Sequence, residues 1–210
     1  MISVEPRKVG RPRATGVSGD SRRDLLDAAA ELFTTRGYAA TSTRAIAQRA
    51  GLRQASLYHY FGGKDDVLAE LLEATVLPSL QRAEELGALD VPPMVKLWAL
   101  SEFDIALLCG GAHNLGALYL LPELNSERFA RFRAERAALK VAYGELVDGP
   151  EVRVDLVFGL VEGVILTRRE KAISEVADFA AAGADACVRV AGCAEDDLPE
   201  VRAAGLRLCR

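Results

Sequence analysis

The stretch from Thr41 to Lys64 most narrows what this chain can fold into. Thr41, Ser42 and Thr43 offer three caps for a short helix. Ala45, Ile46, Ala47 and Ala50 follow at helical spacing, and Gly51 stops the helix. Leu52 leads into another short helix over Gln54–Tyr60, and Gly62-Gly63 breaks the chain again. Two short helices joined by a tight glycine turn have the layout of a helix-turn-helix. Small Ala47 and Ala50 let the pair approach closely, while Leu52 and Leu57 can pin it to an earlier helix. That earlier helix is predicted from Asp20 or Ser21, either able to cap it, with Ser21 and Asp24 at capping-box spacing. Its apolar stripe is Leu25, Leu26, Ala29, Leu32 and Phe33, and Gly37 ends it.

The outward residues of this segment suit a duplex. The hydroxyls at Ser42 and Thr43 stand where free backbone N–H groups and the helix dipole favour a phosphate. Arg44, one turn in, can reach a phosphate or a guanine edge. The third helix presents Gln54, Ala55, Ser56, Tyr58 and His59. Gln pairs with adenine, Ser with several edges, and an Ala methyl touches a thymine methyl. Tyr58, His59 and Lys64 are placed for backbone phosphates, which position a protein without reading sequence. Leu57 and Phe61 read as core.

From Arg22 to Leu72 the residues resemble the tetracycline-repressor (TetR-like) family of transcription regulators. The most specific piece is Ser56-Leu57-Tyr58-His59-Tyr60-Phe61 followed by Lys64, preceded by Ile46-Ala47-x-x-Ala50-Gly51. The resemblance implies that Ser42, Thr43, Arg44, Gln54, Ala55, Ser56, Tyr58, His59 and Lys64 contact DNA. Gly62-Gly63 departs from the Pro or polar residue followed by a Ser or Asn cap usual there, which bears on the rigidity of that join.

Charge is divided along the chain. Residues 1–60 carry ten Lys/Arg against five Asp/Glu, a net +5, and residues 61–210 sixteen against twenty-five, a net −9, giving −4 overall. A basic head on an acidic body is expected when one end alone meets phosphates. Residues 1–19 read as a flexible basic arm, and Lys8-Val-Gly-Arg-Pro-Arg13 within it resembles an AT-hook. There Arg11 and Arg13 would enter a narrow A·T minor groove. Residues 20–66 then form the DNA-binding domain and 67–210 a helical domain for ligand binding and dimerisation. The fold class is all-α: a three-helix helix-turn-helix head joined to a helical body.

The body reads as a long amphipathic helix from Lys64, with Val67, Leu68, Leu71, Leu72, Thr75 and Val76 inward and Pro78 kinking or ending it. Further helices are predicted at 93–108, 112–121, 126–147, 150–169 and 173–190, with one more short helix after Asp197. A recognition helix of about seven residues spans only ~10 Å, so useful specificity asks for two heads on a homodimer bound to a near-palindromic double-stranded operator. Val152–Leu166 with Gly159 and Gly163, and the small-residue stripe of Phe179, Gly183 and Ala186, are the candidate dimer contacts. The resemblance implies a four-helix interface from these two segments. A pocket for a small organic, partly hydrophobic effector would draw on Trp98, Phe103, Asp104, His113, Tyr119 and Phe132. Repression is the habit that the resemblance suggests.

Other classes find little support. The chain has no GxGxxG, GxxxxGK[ST] or HExxH and no nucleophile–base pattern, so no enzyme, catalytic residue or cofactor is expected. Cys109, Cys187, Cys193 and Cys209 form no CxxC pair and lie with no cluster of histidines, so no metal is expected. Residues 1–20 lack an apolar signal core, and apolar runs such as 112–121 are too short for a membrane span. A cytoplasmic protein is expected. The alternative is a regulator with no small-molecule effector, either constitutive or redox-responsive through Cys187 and Cys193.

Overall fold

A computed structural model describes residues 20–209 of the chain. The predicted contacts of Arg11 and Arg13 lie outside the described residues. Among the described residues the structure is helical throughout, with no strand.

The head is α1 (Ser21–Thr35), α2 (Thr43–Arg49) and α3 (Gln54–Tyr60). Asp20 caps α1: its carboxylate accepts from the N–H groups of Arg22 at 3.0 Å and Arg23 at 3.2 Å. Ser42 caps α2 by accepting from Ala45 N–H at 3.2 Å. Gly37 (φ +89°) and Gly51 (φ +70°) turn the chain in the left-handed region, where a side chain would be strained. Leu25, Ala29, Leu32, Phe33, Ile46, Ala47 and Leu57 are buried together, so the three helices share one apolar core.

α4 (Lys64–Glu73) follows and packs on α1. It is shorter than the periodicity predicts. Three turn residues intervene and α5 (Leu77–Gly87) begins with Pro78 in its first turn. Pro78 therefore opens a helix, where its missing N–H has no intrahelical partner to lose. The expected cut at residues 66 and 67 falls inside α4, which runs through it unbroken.

α6 (Pro93–Cys109) is the axis of the body, with Leu97, Trp98, Ala99, Leu100, Ser101, Asp104 and Ile105 all buried. α8 (Glu151–Glu170), α9 (Val176–Val190) and α10 (Leu198–Leu208) pack around it, together with α5 and α7 (Ala130–Leu146). Small residues bring these helices close. A Cβ on Gly183 would meet Ile105 Cδ1 at 2.5 Å, and one on Gly205 would strike the Trp98 ring.

The predicted helix at 112–121 is instead a 3₁₀ turn over Leu115–Leu120, followed by others at Pro122–Asn125 and Glu127–Phe129. Gly110 and Gly111 interrupt the chain before it, and Pro122 holds Leu121 extended after it. Gly116 is pressed against Ile165, where a Cβ would come within 2.5 Å of the side chain.

Candidate nucleic-acid interface and body cavities

The head turns its polar residues outward. Gln54 Nε2 donates to Thr43 Oγ1 at 3.0 Å, and that hydroxyl lies 3.2 Å from the Tyr58 hydroxyl. Three residues picked out by sequence thus form one surface chain linking the start of α2 to α3. Arg44, Ala55 and His59 are exposed beside it, and Ser56 is half-buried. The Ser42 side chain is occupied as the cap of α2, so it orients N–H groups as well as facing outward. Tyr58 is 54% exposed and Tyr60 42%. Large aromatic rings left this open are placed for contact with a partner rather than for the core. Tyr60 and Arg53, the exposed residue preceding α3, are additions to the predicted set. A cation next to the first turn of the third helix was the available signal for Arg53.

Lys64 is held differently. Its ammonium donates to the carbonyls of Tyr38 at 3.1 Å and Thr41 at 3.3 Å and sits 4.2 Å from the Tyr38 ring centroid. It ties the loop between α1 and α2 to the start of α4. Tyr38 in turn donates to Asp65. Ion pairs brace the head from outside: Arg49 with Glu31 at 2.6 Å, and Arg22 with Glu70.

The head meets the body through α1 and through α4 and the turn after it, with both helices packed on the 3₁₀ turn at Leu115–Leu120. Thr75 and Tyr119 hydroxyls lie 2.5 Å apart, Arg131 pairs with Glu73 at 3.4 Å, and Arg128 pairs with Asp66.

The predicted pocket residues do not gather at one site. Trp98 is wholly buried and donates its indole N–H to Asp185 at 2.7 Å, and Asp185 also accepts from Arg202 at 3.0 Å. Its ring fills the core between α6, α9 and α10. Phe103 lines an outer groove with Pro78, Arg82 and Leu208. Asp104 is buried, accepting from Ser79 and, at 3.0 Å, from Tyr143. Burial pushes its carboxyl up to about 6 against the pull of those two hydrogen bonds. Only about 10 Å³ is open beside it, room for about one water.

Two larger spaces remain. Tyr119 and Phe132, with rings 5.2 Å apart, line a groove of about 580 Å³ that also takes in Arg136, Glu162, Gly159 and Gly163. His113 lines a separate cleft of about 690 Å³ between α1, α4 and the end of α6. Pockets of this size accept small organic molecules.

The candidate dimer residues also divide. A Cβ on Gly159 or Gly163 would meet nothing within 4 Å, and Val152, Leu156 and Leu160 stand exposed on the same helix. Their spacing of four lays them along one face of α8. Phe179 and Ala186 on α9 are half-buried. Gly183 is the exception, because it faces Ile105 inside the chain. It is a packing glycine of α6 and α9.

Burial raises the Cys187 thiol to about 11, and it also raises the Cys193 thiol. Neither is held as the thiolate that oxidation requires. Among the described residues no group of His, Cys, Asp or Glu could hold a metal ion, and no helix is long and apolar enough to cross a membrane.

Comparison with known proteins bears on this geometry. The family model described as bacterial regulatory proteins, tetR family, matches residues 25–71, which is α1 through most of α4. The crystal structure of Mycobacterium smegmatis AmtR is 45% identical, with a TM-score of 0.84 over 94% of this chain and 97% of that one. The chain belongs to the TetR family. TetR-family members are DNA-binding regulators of transcription and not enzymes. The HTH-type transcriptional repressor KstR2 of Rhodococcus jostii is 38% identical over 110 residues, 51% of this chain and 53% of the repressor. The matched region thus spans about half the length of that curated relative. FadR of Bacillus subtilis, solved in complex with stearoyl-CoA, is 20% identical with a TM-score of 0.62 over 79% of this chain and 97% of that one. At that identity it shows the TetR fold and nothing finer.

Proposed function

We propose that this TetR-family chain is a repressor that binds a near-palindromic operator as a homodimer and releases it when a small organic ligand occupies the body. The surface chain Gln54–Thr43–Tyr58 carries the reading. It couples two helices into one polar face, flanked by Arg44, Arg53, Ala55 and His59, with the basic arm preceding it in sequence. Gln54 and Ala55 read base edges, and Arg44, Arg53, Tyr58 and His59 hold phosphates. Lys64 acts through the loop it ties. Residues 20–66 act as the reading unit and 67–210 as the sensing and dimerising unit. Repression is supported by the KstR2 relatives, which are named as repressors.

The open face of α8, with Val152, Leu156, Gly159, Leu160 and Gly163, is the proposed centre of the dimer, with Phe179 and Ala186 at its margin. A two-fold pair places two copies of α3 for two half-sites. By linkage, a ligand that releases DNA must bind the non-fitting state more tightly, and DNA must weaken the ligand by the same factor.

Selecting bound fragments from a random DNA pool tests the reading. A two-fold symmetric site is the expected product. An unsymmetrical site, or no enrichment, overturns the dimeric reader. Gln54→Ala should relax preference at one position in each half-site. Unchanged preference would remove α3 as the reader.

A further inference from the structure

The cleft between head and body has a chemistry of its own. One wall is α1 of the head, through Asp27 and Ala30, together with α4 and its C-cap, through Leu71 and Ala74. The other is the end of α6 and the turn after it, with Arg168 of α8 closing the side. Its walls are mainly small or branched apolar side chains, and the void exists because several are alanine and glycine.

Arg168 makes no ion pair among the described residues. Its guanidinium instead donates to three backbone carbonyls: Leu108 at 2.6 Å, Gly110 at 3.1 Å and Gly111 at 3.0 Å. These are the final residue but one of α6 and the two glycines after it. A full positive charge is thus held beside an apolar cleft by neutral acceptors alone. Hydrogen bonds from a guanidinium to an anion are stronger than those to neutral carbonyls, and a planar oxyanion accepts two at once.

We propose that this cleft is the effector site, and that it takes an amphipathic organic anion with Arg168 as the anchor of its charged end. The inference rests on the ligand-responsive reading above and assigns that response a place. The apolar part lies against Ala30, Leu71, Ala74 and Ala106. The anion draws the guanidinium from the carbonyls of Leu108, Gly110 and Gly111, which frees the end of α6. That end and α4 form opposite walls of the cleft, so filling it moves the head relative to the body. The neighbouring groove at Tyr119 differs on both counts: its Arg136 is already paired bidentately with Glu162, and its lining includes no residue of the head.

Three ten-carbon probes separate charge from apolar fit: decanoate, decanol and decylamine. Each is titrated into the full chain by calorimetry, and into its complex with the selected operator. Decanoate should bind tightest, decanol about tenfold or more weaker, and decylamine not at all. Arg168→Gln should remove the preference of decanoate over decanol. Ala106→Phe, which puts a ring in the apolar part of the cleft, should abolish binding of decanoate and decanol and, by the same filling, weaken operator affinity. Decanoate should also release operator from the native chain and, at the same concentration, fail to do so from Arg168→Gln.

Equal binding of all three probes, or binding unaltered in Ala106→Phe, overturns the site. Loss of decanoate binding on Gly163→Leu but not on Ala106→Phe would assign it to the Tyr119 groove and overturn the proposal equally. Absence of binding by every probe to a chain that holds its operator overturns the ligand class while leaving the DNA reading intact. Failure to hold any DNA would instead strike the reading on which the inference rests.

Discussion

The head and the body place their polar groups in opposite ways. In α1 to α3 the core is aliphatic and aromatic, and the buried polar residue Thr41 is satisfied by the carbonyl of Gly37 at 2.8 Å. The amides, hydroxyls and cations stand on the surface, as in Gln54, Thr43 and Tyr58. In the body, Asp104 and Asp185 are sealed inside, and Asp185 is reached from the surface by Arg202. Trp98–Asp185–Arg202 crosses the packing of α6, α9 and α10, and Ser79–Asp104–Tyr143 crosses that of α5, α6 and α7. A buried polar group loses its water and must find a partner, so each such chain of bonds permits few arrangements of its helices. The head is a compact platform that shows its chemistry outward, and the body uses internal chemistry to hold its own shape.

The largest test of this contrast is Trp98→Ala. It opens a cavity beside Gly205 and strips Asp185 of a donor, so it should lower the unfolding free energy by about 3–5 kcal/mol in chemical denaturation. A loss under 1 kcal/mol would mean that the internal chain does not hold the body. Gly183→Leu comes next, at about 1–3 kcal/mol, because the side chain must displace Ile105. Gly159→Ala should instead stabilise each chain by about 1 kcal/mol, since it removes a helix glycine in open space. Equal costs at the two glycines would erase the difference drawn between the inner and outer faces.

On the head, Gln54→Ala should leave unfolding nearly unchanged while costing about 1–3 kcal/mol of discrimination at one base pair, read by binding to single-substitution operators. Lys64→Met should show the converse. It should destabilise the head by about 1 kcal/mol and weaken all operators alike, with the slope of log affinity against log salt unaltered. A slope reduced by about one would return Lys64 to direct phosphate contact.

The last test is a pH dependence. The Asp104 carboxyl is raised by burial from 3.8 to about 6. Between those values the folded chain holds a proton that the unfolded chain has released, so this group's contribution to stability falls as pH rises through that window and is constant above it. Asp104→Asn removes the titration. The difference in Tm between the variant and the native chain should therefore shift in favour of the variant from pH 4 to pH 6 and then level off. A difference independent of pH would show that Asp104 is not held in its buried, hydrogen-bonded state.

Much of this is legible in the amino-acid sequence. Helices α1 to α3 fall where caps, periodicity and glycines place them, because each of those signals acts within a few residues. The polar positions on α2 and α3 were legible for the same reason, since helical spacing alone puts Thr43, Gln54 and Tyr58 outside the apolar stripe. The body was legible as helices but not as a site. Trp98 meets Asp185 across 87 positions, and no local pattern marks that pairing. The aromatic residues that looked like pocket walls are divided among the core, an outer groove and two cavities. Gly183 and Gly159 are alike in sequence, and only packing turns one inward and leaves the other bare.

For the helix-turn-helix itself, sequence determined the elements, the turn and the outward chemistry, because these follow from backbone propensity and the short-range division of apolar from polar side chains. Tertiary structure decided what each outward group does. Lys64 looked like a free cation for phosphate, but the fold brings the carbonyls of Tyr38 and Thr41 to its ammonium. The connector looked like one long helix, and the fold ends it at Glu73. Hydrogen bonds and close contacts depend on distances between residues far apart in the chain, and those distances exist only once the helices are packed.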